Sequence, residues 1–160
     1  MTKRKKKRPA KKQTPSSTMR HLRDKTKRQA RAMGSKFTMV ETELKMSDVL
    51  TDFIAPYQDA VETKHQFESL IGLAAFAWNA AILPPDKQEE TVQQIIQTMP
   101  VEAQAEGREL FMALLERKQR HFAHIKRFII NYEVTDLGDD WHLAVASSVS
   151  PEEIEQSRQP

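Results

Sequence analysis

The 14 residues from Leu70 to Leu83, LIGLAAFAWNAAIL, carry no charge and a single polar side chain, Asn79. Nothing else in the chain constrains its folding as strongly. A bilayer span needs roughly 20 apolar residues, so this run reads as a buried helix of a soluble protein, apolar nearly all round. Other helices must cover it with apolar faces of their own. Asn79, beside Trp78, must be hydrogen-bonded to be buried there, and a main-chain or neighbouring-helix partner is the expected structural role. A ligand pocket around Tyr57, Trp78 and Asn79 is the functional alternative. Gly72 is expected to permit a close helix crossing.

The covering elements follow from spacing. Val49, Leu50, Phe53, Ile54, Tyr57, Ala60 and Val61 keep helical periodicity from an N-cap at Ser47 straight through Pro56. That implies one helix bent at the proline or two short ones sharing a face. Thr63 with Gln66 forms a capping box for the central helix, and Pro84–Pro85 ends it. Asp86 with Glu89 is a second capping pair, opening a helix on Val92, Ile95, Ile96 and Met99 that Pro100 stops. A fourth helix runs from about Val101 to Phe122, with Leu110, Phe111, Leu114, Leu115 and Phe122 inward and a Glu116–Arg120 pair outside.

Past this point the period changes to two. RFIINYEV and WHLAVAS alternate about the turn-rich TDLGDD, which predicts a β-hairpin with a six-residue connection. A hairpin alone is marginal in water, so it must pack on the helices or pair with another chain. The expected fold is therefore mainly α: a compact four-helix bundle with a C-terminal β-hairpin over residues 44–148. A basic arm, residues 1–43, precedes it and a polar tail, 149–160, follows.

Charge divides the chain in the same way. Residues 1–40 hold 15 Lys or Arg against one acid, Asp24, whereas residues 41–160 hold 10 against 21 acids. The net charge of +3 thus conceals a basic arm and an acidic body. Residues 1–15 are too poor in apolar side chains to offset the entropy of ordering and are expected to be disordered. From Ser16 or Ser17 to Gly34 a conditional helix is predicted. Met19, Leu22, Thr26, Ala30 and Met33 form a narrow stripe on it, with Arg20, Arg23, Lys27 and Arg31 on the stripe beside. Asp24 and Arg28 are a favourable i,i+4 pair. Repulsion among the cations should keep this helix weak in isolation and a polyanion should firm it; an intramolecular alternative is that the basic arm folds back on the acidic body until a stronger polyanion displaces it.

Such an arm points to phosphate. Lys3, Arg4, Lys5, Lys6, Lys7, Arg8, Lys11, Lys12, Arg20, Arg23, Lys27, Arg28 and Arg31 are the candidate nucleic-acid-binding residues, and Arg117, Lys118 and Arg120 in ERKQRHFAHIKR are the one place where the body could extend them. The arm has no aromatic residue before Phe37, so it contacts the backbone of RNA or DNA rather than stacking on bases. RNA, including ribosome-associated RNA, is slightly favoured because arginine-rich arms order on it. The alternative function is a protein–protein adaptor, in which the helical domain binds a partner and the arm is a solubility or targeting tail. KRKKKRP has the form of a nuclear localisation signal in a eukaryote; a cytoplasmic location is otherwise expected.

No enzyme chemistry is expected. The chain lacks cysteine, which excludes disulfides, thiolate metal sites and a thiol nucleophile. Its four glycines build no phosphate loop, and no serine has a nucleophile-elbow context. His121 and His124, with His142, Asp139 and Asp140, are the only grouping that could suggest a metal-dependent enzyme, and they lack a defined fourth ligand. Neither a metal nor a cofactor is assigned, and no membrane span is expected.

Overall fold

The computed structural model describes residues 15–32, 44–138, 140–149 and 155. Among the described residues five α-helices are present rather than four: α1 (Pro15–Ala32), α2 (Met46–Ile54), α3 (Lys64–Ile82), α4 (Pro85–Gln97) and α5 (Gln104–His121), followed by an antiparallel hairpin of β1 (Ile129–Asp136) and β2 (Trp141–Ser147). The body supplies the expected four; the fifth is the arm helix. It is folded because the hairpin gives it a surface to lie on, and α1 packs on β1 and β2. The remainder of the arm and most of the polar tail lie outside the described residues, as does the helix stop expected at Gly34.

The hairpin is consequently a middle layer. Ile129, Val134 and Leu143 join the main core with α2, α3, α4 and α5, while Thr135 and Ala144, on the opposite pleat, are buried away from that core. Leu22 and Thr26 of α1 are likewise buried outside it, so these four side chains are the thin second layer between α1 and the hairpin. Thr26 satisfies its hydroxyl on the Leu22 carbonyl at 2.8 Å.

The Leu70–Leu83 run forms most of α3 and is the centre of the core, with Ile71, Ala74, Ala77, Trp78 and Ala80 wholly buried. Phe53 meets Trp78 edge-on at 5.3 Å, and Phe122 meets Phe53 at 5.6 Å and Trp78 at 5.7 Å. On the hairpin side Phe67 stacks on Trp141 at 5.0 Å. Such pairs are worth about 0.5–1.5 kcal/mol each beyond their buried area, and they tie α2, α3, the end of α5 and the hairpin into one unit. The Thr63–Gln66 capping box is present: the Gln66 N–H donates to Thr63 Oγ1, and Gln66 Oε1 accepts from the Thr63 N–H.

Several local expectations are corrected. Lys45, not Ser47, occupies the N-cap of α2; Ser47 lies in the first turn, where its carbonyl accepts from the Thr51 hydroxyl at 2.7 Å. Of the two forms expected around Pro56, a bent helix or two short ones, the second is present: α2 ends at Ile54 and a 3-10 helix, Ala55–Ala60, follows with no fully buried residue. Pro85 starts α4, pre-set for a first helical turn. Asp86 therefore lies inside the helix and complements its dipole rather than capping it. Val101–Ala103 is a separate 3-10 turn before α5. Gly72 faces not a helix but β1: a Cβ there would sit 3.0 Å from the Tyr132 hydroxyl.

The hairpin turn is four residues long, not six, because Thr135 and Asp136 pair with His142 and Trp141. Gly138 adopts φ +96°, a left-handed conformation glycine accepts without penalty. The acids of this segment hold the turn: Asp136 Oδ1 accepts from the Gly138 N–H and Asp140 Oδ1 from the Trp141 N–H, both at 2.8 Å. A register shift between Ile129 and Asn131 makes Ile130 a bulged residue. It moves the inward positions from Ile129 to Tyr132 and Val134, and leaves Phe128 and Ile130 exposed.

Candidate nucleic-acid interface

With Leu22 and Thr26 turned onto the hairpin, the other described side chains of α1 face water. Arg20, Arg23, Asp24, Lys25, Lys27, Arg28 and Arg31 are all exposed. Of the predicted stripe, Leu22 and Thr26 are covered, and Arg20, Arg23, Lys27 and Arg31 beside it are not; the side chains of Met19, Ala30 and Met33 lie outside the described set. The seat is reinforced by polar contacts from one strand: Glu133 Oε1 lies 3.5 Å from His21 Nδ1, Glu133 Oε2 lies 3.9 Å from Lys25 Nζ, and Asn131 Nδ2 reaches Gln29 Oε1 at 3.4 Å. These long, half-open contacts orient the helix more than they hold it. Arg28 reaches the main-chain carbonyl of Asp24, at 3.4 Å, and not its carboxylate. From Arg20 to Arg31 the exposed cations extend about 16 Å along the axis at ~1.5 Å per residue. Lys3, Arg4, Lys5, Lys6, Lys7, Arg8, Lys11 and Lys12 lie outside the described residues.

The basic cluster at the end of α5 is organised otherwise. Arg117 donates from Nε to the Phe53 carbonyl at 2.9 Å and from Nη2 to the Asp52 carbonyl at 3.0 Å, and its guanidinium lies 5.6 Å from the Phe122 ring. It closes the C-terminus of α2, where unsatisfied carbonyls attract a cation. Lys118, 3% exposed, donates to the carbonyls of Phe122 and Ile125 at 2.6 and 2.8 Å and sits 4.4 Å over Trp78. Burial lowers its amine to about 8. Arg127 is also buried and donates to the Leu44 carbonyl at 3.2 Å. Arg120 is exposed and paired with Glu116 at 2.8 Å. Arg117 thus fastens the end of α2 and Lys118 the turn from α5 into β1, whereas α1 packs chiefly on the hairpin. Among the described residues the two candidate groups sit on different elements, one on α1 against the hairpin and one at the end of α5 against α2 and the following turn.

Trp78 and Asn79 serve the same junction. The Trp78 indole N–H donates to the Arg127 carbonyl at 2.7 Å. Asn79 Nδ2 donates to the Ile129 carbonyl at 2.9 Å while its Oδ1 accepts the Ile129 N–H at 2.7 Å. The amide therefore pairs with β1 as a neighbouring strand would, from a helix. This structural role is the one the sequence indicated.

Elsewhere the described surface carries Lys45, Lys64, Lys87, Arg108 and Lys126 scattered among more numerous acids. A cavity of about 530 Å³ is bordered by Ser47, Thr51, Asp48, Asp59, Asp140 and His142, and its three carboxylates disfavour a polyanion. His142 Nδ1 is buried at its edge with no hydrogen-bond partner. His121 and His124 are exposed at the end of α5; Asp139 lies outside the described residues. Among the described residues no group of three or more His, Asp or Glu side chains is placed to hold a metal ion, and no helix is long and apolar enough to cross a membrane. No protein family, curated protein or solved structure matches this chain.

Proposed function

We propose that this is a non-enzymatic nucleic-acid-binding protein that grips the phosphate backbone of RNA or DNA through the outer face of α1, continued by the cations of residues 3–12. One observation carries the reading: the hairpin covers Leu22 and Thr26 of α1 and leaves Arg20, Arg23, Lys27, Arg28 and Arg31 exposed on a helix packed against it. Fixed cations lose little freedom on meeting phosphate and release its counterions. Arg117 and Lys118 stand outside the proposed interface, since each is occupied by main-chain carbonyls.

The test is fluorescence anisotropy on labelled RNA and DNA across a salt series. It compares the full chain with a variant carrying Arg20, Arg23, Lys27, Arg28 and Arg31 each changed to Gln. Five lost contacts should flatten the log–log salt dependence by about 4.5. Absence of binding at low salt, or an unchanged slope in the variant, would overturn the proposal.

A further inference from the structure

We infer that the cleft between α2 and the turn end of β2 is a docking site for the chain's own basic segment, residues 3–12, and that nucleic acid must draw those cations out of it; the second clause rests on the phosphate-binding reading above.

The cleft suits cations. Its cavity of about 530 Å³ is bordered by Asp48, Asp59 and Asp140, and among the described residues none of these three exposed carboxylates makes an ion pair. Phe67 and Trp141, stacked at 5.0 Å, line it as well. Aromatic faces attract ammonium and guanidinium groups and cover the alkyl stems of Lys and Arg.

The occupant follows from where α1 begins. Glu133 meets His21 and Lys25, and Asn131 meets Gln29, so the helix runs antiparallel to β1. Pro15 lies about 9 Å along the helix from His21, at ~1.5 Å per residue. Asp136 lies about 10 Å along the strand from Glu133, at ~3.3 Å per residue. The start of α1 is therefore level with the hairpin turn, where Asp136 pairs with Trp141 at the rim of the cleft. Lys12 and Lys3 precede Pro15 by three and twelve residues, an extended reach of about 10 and 40 Å. The segment can thus fill the cleft while α1 keeps its seat.

Charge selects this occupant over others. Residues 3–12 hold eight Lys or Arg and no acid, and their tether gives them an effective concentration that a free basic peptide does not reach. The cations of α1 repel the segment and the cleft carboxylates attract it. The same carboxylates repel phosphate, so the segment meets one or the other. Affinity for nucleic acid then scales with the fraction of molecules whose segment is released.

The experiment is cross-linking of the full-length protein with a carbodiimide, which joins touching amines and carboxylates as amides, read by mass spectrometry with and without duplex DNA or RNA. Links within one chain from the segment's six lysines to Asp48, Asp59 or Asp140 are expected, and bound nucleic acid should remove them. Links between chains, links spread evenly over the acids of α4 and α5, or no links would overturn the docking. Links that persist with nucleic acid bound would overturn the competition. A second measurement takes affinity: Asp48→Asn/Asp59→Asn should bind nucleic acid about 2- to 30-fold more tightly, as two exposed ion pairs no longer hold the segment. Glu102→Gln/Glu106→Gln is the control, since each pair removes two acids, one of them in the first turn of a helix. An equal gain in the control would overturn the competition as a mere effect of net charge. Cleft links in a protein that binds no nucleic acid would uphold the docking and overturn the phosphate-binding reading.

Discussion

Leu22→Asp tests the seat on which the proposed interface depends. Leu22 is 1% exposed, and its buried neighbours in the second layer are Thr26, Thr135 and Ala144, all small. Burying one leucine contributes about 1.5–3 kcal/mol, and the half-open contacts to Glu133 add roughly 0.2–1 kcal/mol each. Ordering the helix opposes these gains, so docking should be favoured by on the order of 1–3 kcal/mol in net terms. At about 1.4 kcal/mol per tenfold, the α1 amides should exchange roughly 10- to 100-fold more slowly than they would undocked. An aspartate in the seat removes the leucine's contribution and adds the desolvation of a charge, so the helix should leave the hairpin rather than bury it. Hydrogen exchange followed residue by residue should then show α1 amides losing that protection while those of α3 stay slow. The reasoning is refuted if α1 remains as protected as before, because Leu22 would not be its anchor. It is equally refuted if α3 accelerates in step, because the two layers would be one cooperative unit.

Other consequences concern the body. Asn79→Ala strands the N–H and carbonyl of Ile129, at about 1–3 kcal/mol for each unsatisfied group, and calorimetry should show a correspondingly lower Tm. Lys118 binds a proton less readily when folded. Between pH 8 and its unfolded value of 10.5 the unfolded chain holds a proton that the folded one lacks, and stability rises with pH. Urea midpoints should increase from pH 8 to 10, and Lys118→Met should flatten that rise. Above pH 10 the sign reverses at Tyr132, whose hydroxyl is raised by burial and by Glu68: the folded chain keeps its proton longer, and stability falls. Arg117→Ala should lower the urea midpoint, by about 1–3 kcal/mol for the lost charge-assisted bonds, and leave the salt dependence of nucleic-acid binding unchanged.

Legibility in the sequence depended on whether a signal was local. The α3 capping box, the Glu116–Arg120 pair and the apolar run at 70–83 act within one element, and each appears as its spacing implies. The structural role of Asn79 was also accessible, because an amide in an apolar helix must find a partner, although its partner strand was not. What the sequence concealed depends on distant residues. Arg117 and Lys118 look like a basic patch, yet they answer to carbonyls of α2 and of the turn after α5, 64 residues away in the case of Phe53. The order of α1 required the far face of the hairpin, which a pattern of alternation does not announce as a docking surface. The bulge at Ile130 breaks that alternation without a glycine or proline to signal it.

The bond pair from Asn79 to Ile129 has one more effect. A two-stranded sheet presents open margins to which a further extended peptide can add, and that is how folded chains begin to polymerise. Here the amide already fills both hydrogen-bonding positions of Ile129, so at the first residue of β1 no incoming chain can be joined. The same side chain that fixes the hairpin's position also guards the protein against self-association there.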